Sequence, residues 1–415
     1  MKIVHLSTFD NGGAGIAAHR IHRALKSIGL DSHHLVLHKT GHYSDSNAYK
    51  EPEIRGFQKL LKKGLRITNE LKLTPDPNRV DQSFLKDKPP GFELFSTPYS
   101  NCKVENHPLI MSADIINLHW VTEFVDYEFF FKTIKKPVVW TIHDMNLFTG
   151  GCHYSMDCNN FTSNCGQCPQ IAQPNTAQKF LKIKKNALAT YGKLNIVSPS
   201  NWLLQLSKQS SFAKDFSHHH IKYAYDTKIF KPMNKNHCKE ILGFPLDKKI
   251  ITYISPNIDN KRKGFEYLLK LTDAFSHSNN VYFCCVGNLS SVINIHNFGH
   301  VKDEILMSII YNATDLFLMP SLADNLPNVL IESILCGTPA LSFNVGGIPE
   351  IIHHGKNGII SEVNHELLYN EVNNFISGKY VFDRDQIIEA ARNEYNQNKV
   401  AQQYKNLYQE LLIKA

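Results

Sequence analysis

Short apolar runs alternate along the chain with stretches whose apolar positions recur every three or four residues. The runs predict buried strands, and the recurring pattern predicts amphipathic helices. In the first half, strands are predicted at Ile3–Ser7, His34–Leu37, Asp114–His119, Val138–His143 and Leu194–Ser198. Helices are predicted near Gly15–Ser27, Phe57–Leu71, Tyr127–Ile134 and Lys179–Tyr191.

The second half shows the same alternation. Strands are predicted at Ile250–Ile254, Val281–Val286, Leu316–Met319 and Pro339–Phe343. Helices are predicted near Gly264–Phe275, Lys302–Asn312, Leu326–Leu335 and Leu367–Ile376. Such alternation favours parallel sheets with helices on both faces. The sequence therefore predicts an α/β protein made of two doubly wound units.

Length and composition fit this organisation. The chain has 415 residues, 42% of them hydrophobic, which suits two or three domains of roughly 100–200 residues. We predict an N-terminal domain over 1–225, a C-terminal domain over 226–397 and a last helix over 398–415. No apolar run of about 18 residues predicts a membrane-spanning helix. The first residues do not resemble a signal peptide, so we expect a cytoplasmic protein.

The stretch from Phe298 to Glu350 is the most informative part of the sequence. A buried strand is followed by a polar loop with Asp324 and Asn325, and then by a helix that carries Glu332. A second strand is followed by the glycine turn Gly346-Gly347. Strand, turn and helix start, twice in succession, predict a place where backbone N–H groups meet a phosphate.

The string PSLADNLPNVLIESILCGTPALSFNVGGIPEII resembles the donor-site signature of retaining glycosyltransferases of family 4. That family has the GT-B fold, in which two Rossmann-like domains face a cleft and the last helix crosses back to the first domain. The resemblance implies a UDP- or GDP-linked sugar donor and no catalytic metal. Glu332 matches the second of two family glutamates, and would hold the ribose. Asp324 replaces the first, and would hold the sugar together with the backbone at Asn325 and Leu326.

The same resemblance implies further donor-site residues. The turn with Gly12 and Gly13 would face the donor phosphates, and His119, which ends a predicted strand, would lie beside the sugar. His143 ends the next strand and is expected in the same cleft.

A basic turn follows the first strand of the second half. Lys263 matches a family lysine that binds the diphosphate, whereas Asn257 takes the place of the family arginine and Arg262 is its proposed substitute. Cations there would stabilise the charge that gathers on the leaving diphosphate. His300 and Val301 complete the predicted donor-binding set.

Cys152, Cys158, Cys165 and Cys168 lie within 17 residues and end in a CxxC pair. This spacing suits a tetrahedral thiolate zinc site. Two disulfides are the alternative, which a reducing cytoplasm disfavours. Similar cysteine-rich inserts occur in a bacterial subgroup of the family that the chain resembles, so we expect a structural zinc.

The positive charge is concentrated in the N-terminal half. Residues 1–225 hold 27 Lys and Arg against 18 Asp and Glu, whereas residues 226–415 hold 18 against 20. The basic stripe from Arg55 to Lys72 is typical of an interfacial amphipathic helix, and equally of an ordinary surface helix. No nucleic-acid-binding motif accompanies the charge, so an anionic membrane surface is the expected partner.

The resulting hypothesis is a retaining hexosyltransferase, peripheral on the inner face of the cytoplasmic membrane. Its acceptor would be a growing glycan, linked to a lipid pyrophosphate, in the synthesis of a capsule, exopolysaccharide or O-antigen. Two alternatives are a nucleotide-sugar epimerase or hydrolase of the same fold, and a glycan-binding subunit without activity. The second alternative rests on the replacements at Asp324 and Asn257.

Overall fold

The computed structural model describes residues 1–41, 43–51, 85, 94–255, 260–288 and 294–414. The predicted helix at Phe57–Leu71, the basic stripe from Arg55 to Lys72 and Asn257 lie outside the described residues. Within the described residues, the chain forms two parallel sheets flanked by helices, which confirms the predicted fold class.

The first sheet has seven strands, all paired in parallel. They are β1 Lys2–Phe9, β2 Asp31–His38, β3 Asn47–Ala48, β4 Ile115–Leu118, β5 Val138–Thr141, β6 Leu194–Ser198 and β7 Ser217–His220. Their order across the sheet is β3-β2-β1-β4-β5-β6-β7. Strands β4, β5 and β6 are buried at every position, as a sheet covered on both faces requires.

The second sheet has six strands, also parallel throughout. They are β8 Lys249–Ile254, β9 Val281–Val286, β10 Ile295–Asn297, β11 Leu316–Met319, β12 Ala340–Phe343 and β13 Gly358–Ser361. Their order is β10-β9-β8-β11-β12-β13. The order reverses between β8 and β11, and the candidate site lies beside the carboxyl ends of these two strands.

Helices connect and cover the strands. In the N-terminal half they are α1 Gly12–Ser27, α2 Pro108–Ser112, α3 Tyr127–Thr133, α4 Pro174–Tyr191 and α5 Asn201–Gln209. In the C-terminal half they are α6 Lys235–Leu242, α7 Phe265–Ala274, α8 Glu304–Ala313, α9 Asn328–Leu335, α10 His365–Ile376, α11 Arg384–Glu394 and α12 Gln397–Lys414. None of the described helices combines the length and the hydropathy that crossing a membrane requires.

Every strand predicted from an apolar run is present. The strands that were not predicted, β3, β7, β10 and β13, are the four edges of the two sheets. An edge strand has a neighbour on one side only, so its sequence is less uniformly apolar. The exposed β3 and the half-buried β7 and β10 show this directly.

The last helix, α12, packs on the first sheet although it follows the second domain. Tyr404 and Tyr408 are fully buried against the N-terminal core. The Asn117 side-chain amide donates a hydrogen bond of 2.8 Å to the Tyr408 hydroxyl, and the Tyr404 hydroxyl lies 3.1 Å from that of Thr141. This helix therefore returns to the N-terminal half. The exact-residue domain boundaries stay a prediction.

Candidate active site

A cleft of about 560 Å³ lies between the two sheets and is lined by both halves of the chain. Ten residues that the sequence placed at the donor site line it: Gly12, Gly13, Arg262, Lys263, His300, Val301, Asp324, Asn325, Leu326 and Glu332. In open α/β sheets, ligands bind in such crevices beyond the carboxyl ends of the strands. The structure therefore gathers residues that are up to 320 positions apart in the chain into one concave surface.

Helix α1 begins at the edge of this cleft. Gly12 has φ +68, a left-handed conformation that favours glycine. The backbone carbonyl of Gly13 accepts a hydrogen bond of 2.9 Å from the side chain of Asn328, which opens helix α9 of the other domain. The first N–H groups of α1 are therefore held at the cleft, where they suit an anion.

Glu332 is buried on helix α9 and has both carboxylate oxygens engaged. Its Oε1 lies 2.8 Å from Nη2 of Arg20, which belongs to helix α1 of the N-terminal domain. Its Oε2 accepts a hydrogen bond of 2.8 Å from the hydroxyl of Tyr311. Burial raises the pKa of Tyr311, and the neighbouring carboxylate of Glu332 raises it further, so this hydroxyl stays protonated and keeps donating.

The prediction missed Arg20 and Tyr311. Arg20 could have been found, because it falls on the apolar stripe of α1 that Ala17, Ile21 and Ala24 also occupy. A cation on the buried face of an amphipathic helix requires a buried anion. Tyr311 carries no comparable signal, since a tyrosine on a helix is ordinarily a core residue.

Asp324 is the second buried carboxylate of the cleft. Its Oδ2 lies 2.6 Å from Nζ of Lys263 and 3.4 Å from Nη1 of Arg262. Burial by itself would raise the pKa of Asp324, but the charges of Lys263 and Arg262 outweigh it and lower that pKa. Asp324 is thus an anion at neutral pH. Lys263 and Arg262, which were predicted to bind the diphosphate, form ion pairs with it. The guanidinium of Arg262 also stacks 4.0 Å from the ring centre of Tyr154.

Glycines bring this loop into place. A Cβ on Gly264 would lie 1.8 Å from the carbonyl oxygen of Pro320, so only glycine lets the basic turn approach the end of β11. The turn Gly346-Gly347, predicted to offer N–H groups to a phosphate, has a different use. Gly347 donates its N–H to the carbonyl of Asp324 at 3.0 Å, and a Cβ on Gly346 would lie 1.9 Å from that same oxygen. This second turn supports the backbone of the Asp324 loop.

His119 lies behind the cleft and His143 lines it. His119 is 2% exposed and is not among the cleft-lining residues. Its Nδ1 lies 2.9 Å from Nε2 of His143, and its Nε2 lies 2.9 Å from Nδ1 of His5. Nδ1 of His143 is 2.7 Å from the hydroxyl of Tyr223, which also lines the cleft. The role of His119 beside the sugar stays a prediction. Of the two histidines, His143 is the one that lines the cleft.

Burial lowers the pKa of His5, His119 and His143, and that of His143 falls to about 4. The cleft wall is therefore uncharged at these imidazoles at neutral pH. Next to His143, Asp144 also lines the cleft and accepts from His153 at 2.6 Å.

The four clustered cysteines line one small cavity, and Cys152, Cys165 and Cys168 are buried. All nine cysteines of the chain have free thiols in the structure, which speaks against the disulfide alternative. Among the described residues, no group of three or more His, Cys, Asp or Glu is arranged at metal-binding distances. The thiols are thus neighbours, with zinc binding still a prediction.

The C-terminal half also matches a known protein family. Residues 234–394 match the family of glycosyl transferases group 1. The chain is similar to N-acetyl-alpha-D-glucosaminyl L-malate synthase of Bacillus anthracis, with 26% identity over 210 residues, 45% of this chain and 52% of the relative. The chain thus matches about half the length of this curated relative.

Solved structures with a similar fold superpose on all or nearly all of the chain. A sucrose-phosphate synthase from Thermosynechococcus elongatus superposes with a TM-score of 0.64 at 14% identity, covering 100% of both chains. Anabaena Alr3699/HepE in complex with UDP and glucose gives a TM-score of 0.64 at 14% identity, covering 98% of this chain and 99% of the other. The protein therefore has the GT-B fold. Residues 234–394 are similar in sequence to the glycosyl transferases of group 1.

Buried neutral histidines predict acid sensitivity. Burial, together with nearby His19, lowers the pKa of His22 from 6.5 to about 3. The native state then binds fewer protons than the unfolded state between these values, so stability is lost as the pH falls through this window. We predict that His22→Gln reduces the pH dependence of the free energy of unfolding by about one proton, or about 1.4 kcal/mol per pH unit.

The measurement is urea unfolding at several pH values between 4.5 and 6. His237→Gln is the control, because the His237 side chain is 72% exposed. An unchanged slope in His22→Gln would contradict a neutral, buried His22.

Proposed function

We propose that this protein is a retaining glycosyltransferase that moves a hexose from a nucleotide-diphospho-sugar to a glycan acceptor. The main support is that the residues of the donor-site signature line a single interdomain cleft, in which two buried carboxylates are paired with three cations. These charged residues are Asp324, Glu332, Arg20, Arg262 and Lys263. The family match of residues 234–394 supports it, as does the UDP and glucose bound by the Anabaena structural neighbour.

Each charged group has a part in this scheme. Glu332 would bind the ribose hydroxyls, since a carboxylate with two partners still has free lone pairs. Asp324 and the backbone at Asn325 and Leu326 would hold the sugar. Lys263 would bind the diphosphate, because its ammonium has three donors and its side chain, 25% exposed, can reach a ligand while Arg262 stays on Asp324.

The reaction exchanges one bond at the anomeric carbon. The bond to the phosphate oxygen breaks, and a bond to the acceptor oxygen forms on the same face. The leaving phosphate takes the acceptor proton. Lys263 and Arg262 would stabilise the charge that accumulates on the diphosphate. In this scheme, no protein nucleophile and no catalytic metal take part.

The acceptor would enter from the N-terminal side of the cleft. That wall combines aromatic rings, Phe9 and Trp120, with the carboxylate of Asp144 and the hydroxyl of Thr40, a surface suited to a sugar. The positive N-terminal half supports an anionic carrier such as a lipid pyrophosphate at a membrane surface. We therefore favour a lipid-linked glycan in surface-polysaccharide synthesis over a soluble acceptor. We do not propose nucleic acid as a partner.

Nucleotide binding tests the donor site. We predict that Glu332→Gln weakens the binding of UDP, GDP or ADP by about 10- to 100-fold, because a hydrogen bond to a charged group contributes about 1.5–3 kcal/mol. Isothermal titration calorimetry of each nucleotide checks this. Glu389→Gln, an exposed glutamate on α11 of the same domain, is the control and should bind as the parent protein does. Equal affinities in the two variants would remove Glu332 from the donor site.

We also propose that Cys152, Cys158, Cys165 and Cys168 hold one structural zinc. Support comes from their common cavity and from their free thiols. Closing on an ion would require rotation of these side chains, because they are not at ligand distances in the structure. Four thiolates are a common zinc ligand set, and the metal would fix the loop after β5.

The zinc prediction is about one zinc ion per chain in protein purified under reducing conditions. Acid should release it, because protons compete for the thiolates. Elemental analysis checks the metal content, with Cys158→Ser as the test variant and Cys102→Ser, a half-buried cysteine outside the cluster, as its control. Metal-free parent protein with four titratable thiols would contradict the site.

A further inference from the structure

Arg20 reaches across the cleft from the N-terminal domain. Its Nη2 lies 2.6 Å from Oε1 of Glu304 and 2.8 Å from Oε1 of Glu332, both in the C-terminal domain. Its guanidinium carbon lies 4.5 Å from the ring centre of Tyr225 and 5.1 Å from that of Phe230. The side chain is 11% exposed, so two carboxylates and two aromatic rings enclose it almost completely.

Such an environment holds the guanidinium as a cation. Burial opposes the charge, but Glu332, Tyr225 and Glu304 more than compensate, and the pKa of Arg20 is raised well above its ordinary value. A buried ion pair needs good geometry and further hydrogen bonds to offset desolvation. Arg20 has the ion pairs, but one of its donors is left over.

That donor is Nη1. It is buried and has no hydrogen-bond partner in the structure, although Arg20 lines the cleft. A buried N–H without an acceptor costs about 1–3 kcal/mol, and more when the group is charged. Because Nη1 and Nη2 share one planar guanidinium, an acceptor bound to Nη1 would lie beside whatever Glu332 binds.

We propose that Arg20 is a donor-binding residue supplied by the N-terminal domain: it positions Glu332 with Nη2 and donates from Nη1 to an oxygen of the bound nucleoside diphosphate. This rests on the proposed function, because it takes the cleft as the donor site. The nucleotide is then held by both domains at once. A cleft without Arg20 would bind it through the C-terminal domain alone.

The first test compares Arg20→Met with Arg23→Met. Arg23 lies one turn further along the same helix and is exposed, so it controls for the lost charge and the substitution. With UDP, UDP-glucose, GDP and ADP as calorimetric probes, Arg20→Met should weaken the tightest-binding probe about tenfold or more. Arg23→Met should bind it as the parent does. Equal binding by the two variants would overturn the proposal.

The variant Arg20→Lys tests whether the loss of affinity comes from a folding defect. It keeps a buried cation for Glu304 and Glu332 but loses the planar fork, so its tryptophan fluorescence should match the parent while its affinity stays reduced. All three tryptophans, Trp120, Trp140 and Trp202, lie in the N-terminal half and report its folding. Parent-like affinity in folded Arg20→Lys would overturn a contact that requires the fork.

A double variant separates positioning from contact. If Nη1 touches the nucleotide, Arg20→Met with Glu332→Gln should bind more weakly than Glu332→Gln alone. Equal affinities would mean that Arg20 acts only through Glu332 and would overturn the direct contact. If the parent protein binds none of the probes, the proposed function itself fails, which these comparisons distinguish from failure of the Arg20 contact.

Discussion

Two carboxylates removed from water are the constraint on which the site depends. The side chains of Asp324 and Glu332 are 9% and 8% exposed, and burying an ion costs several kcal/mol unless a counter-charge meets it. Asp324 has its cations, Lys263 and Arg262, within the C-terminal domain. Glu332 has its cation, Arg20, on the other domain, so the site is complete only where the two domains meet.

Several contacts hold the domains in this arrangement. Asn325 donates to the carbonyl of His143 at 3.0 Å, and the hydroxyl of Tyr225 donates to the side chain of Asn328 at 2.6 Å. Helix α12 adds to them by packing on the first sheet. The chain of neutral histidines behind His143 orders the opposite wall without placing another positive charge there.

The features that could be predicted from the sequence are local, and most of those that were missed depend on the folded surroundings. Central strands and the Asp324–Glu332 loop were found because the pattern that defines them lies within a few consecutive residues. The edge strands β3, β7 and β10 were missed because they are exposed or half-buried and their sequences are not apolar runs. The apolar stripe of α1 indicates that Arg20 is buried, but its partner Glu332 is far away in the chain, and only folding brings the two together. His119 lies behind His143, which lines the cleft, and its role beside the sugar stays a prediction of the family resemblance.

We propose that this cleft transfers a sugar with retention, and the anomeric proton of the first product reports the stereochemistry directly. Proton NMR would follow the reaction of the protein with a panel of glycan acceptors. The donor would be the UDP-, GDP- or ADP-linked hexose that the protein binds most tightly. A retaining glycosyltransferase gives a product with the donor's anomeric configuration, formed only when an acceptor is present. A product of inverted configuration would contradict the proposal.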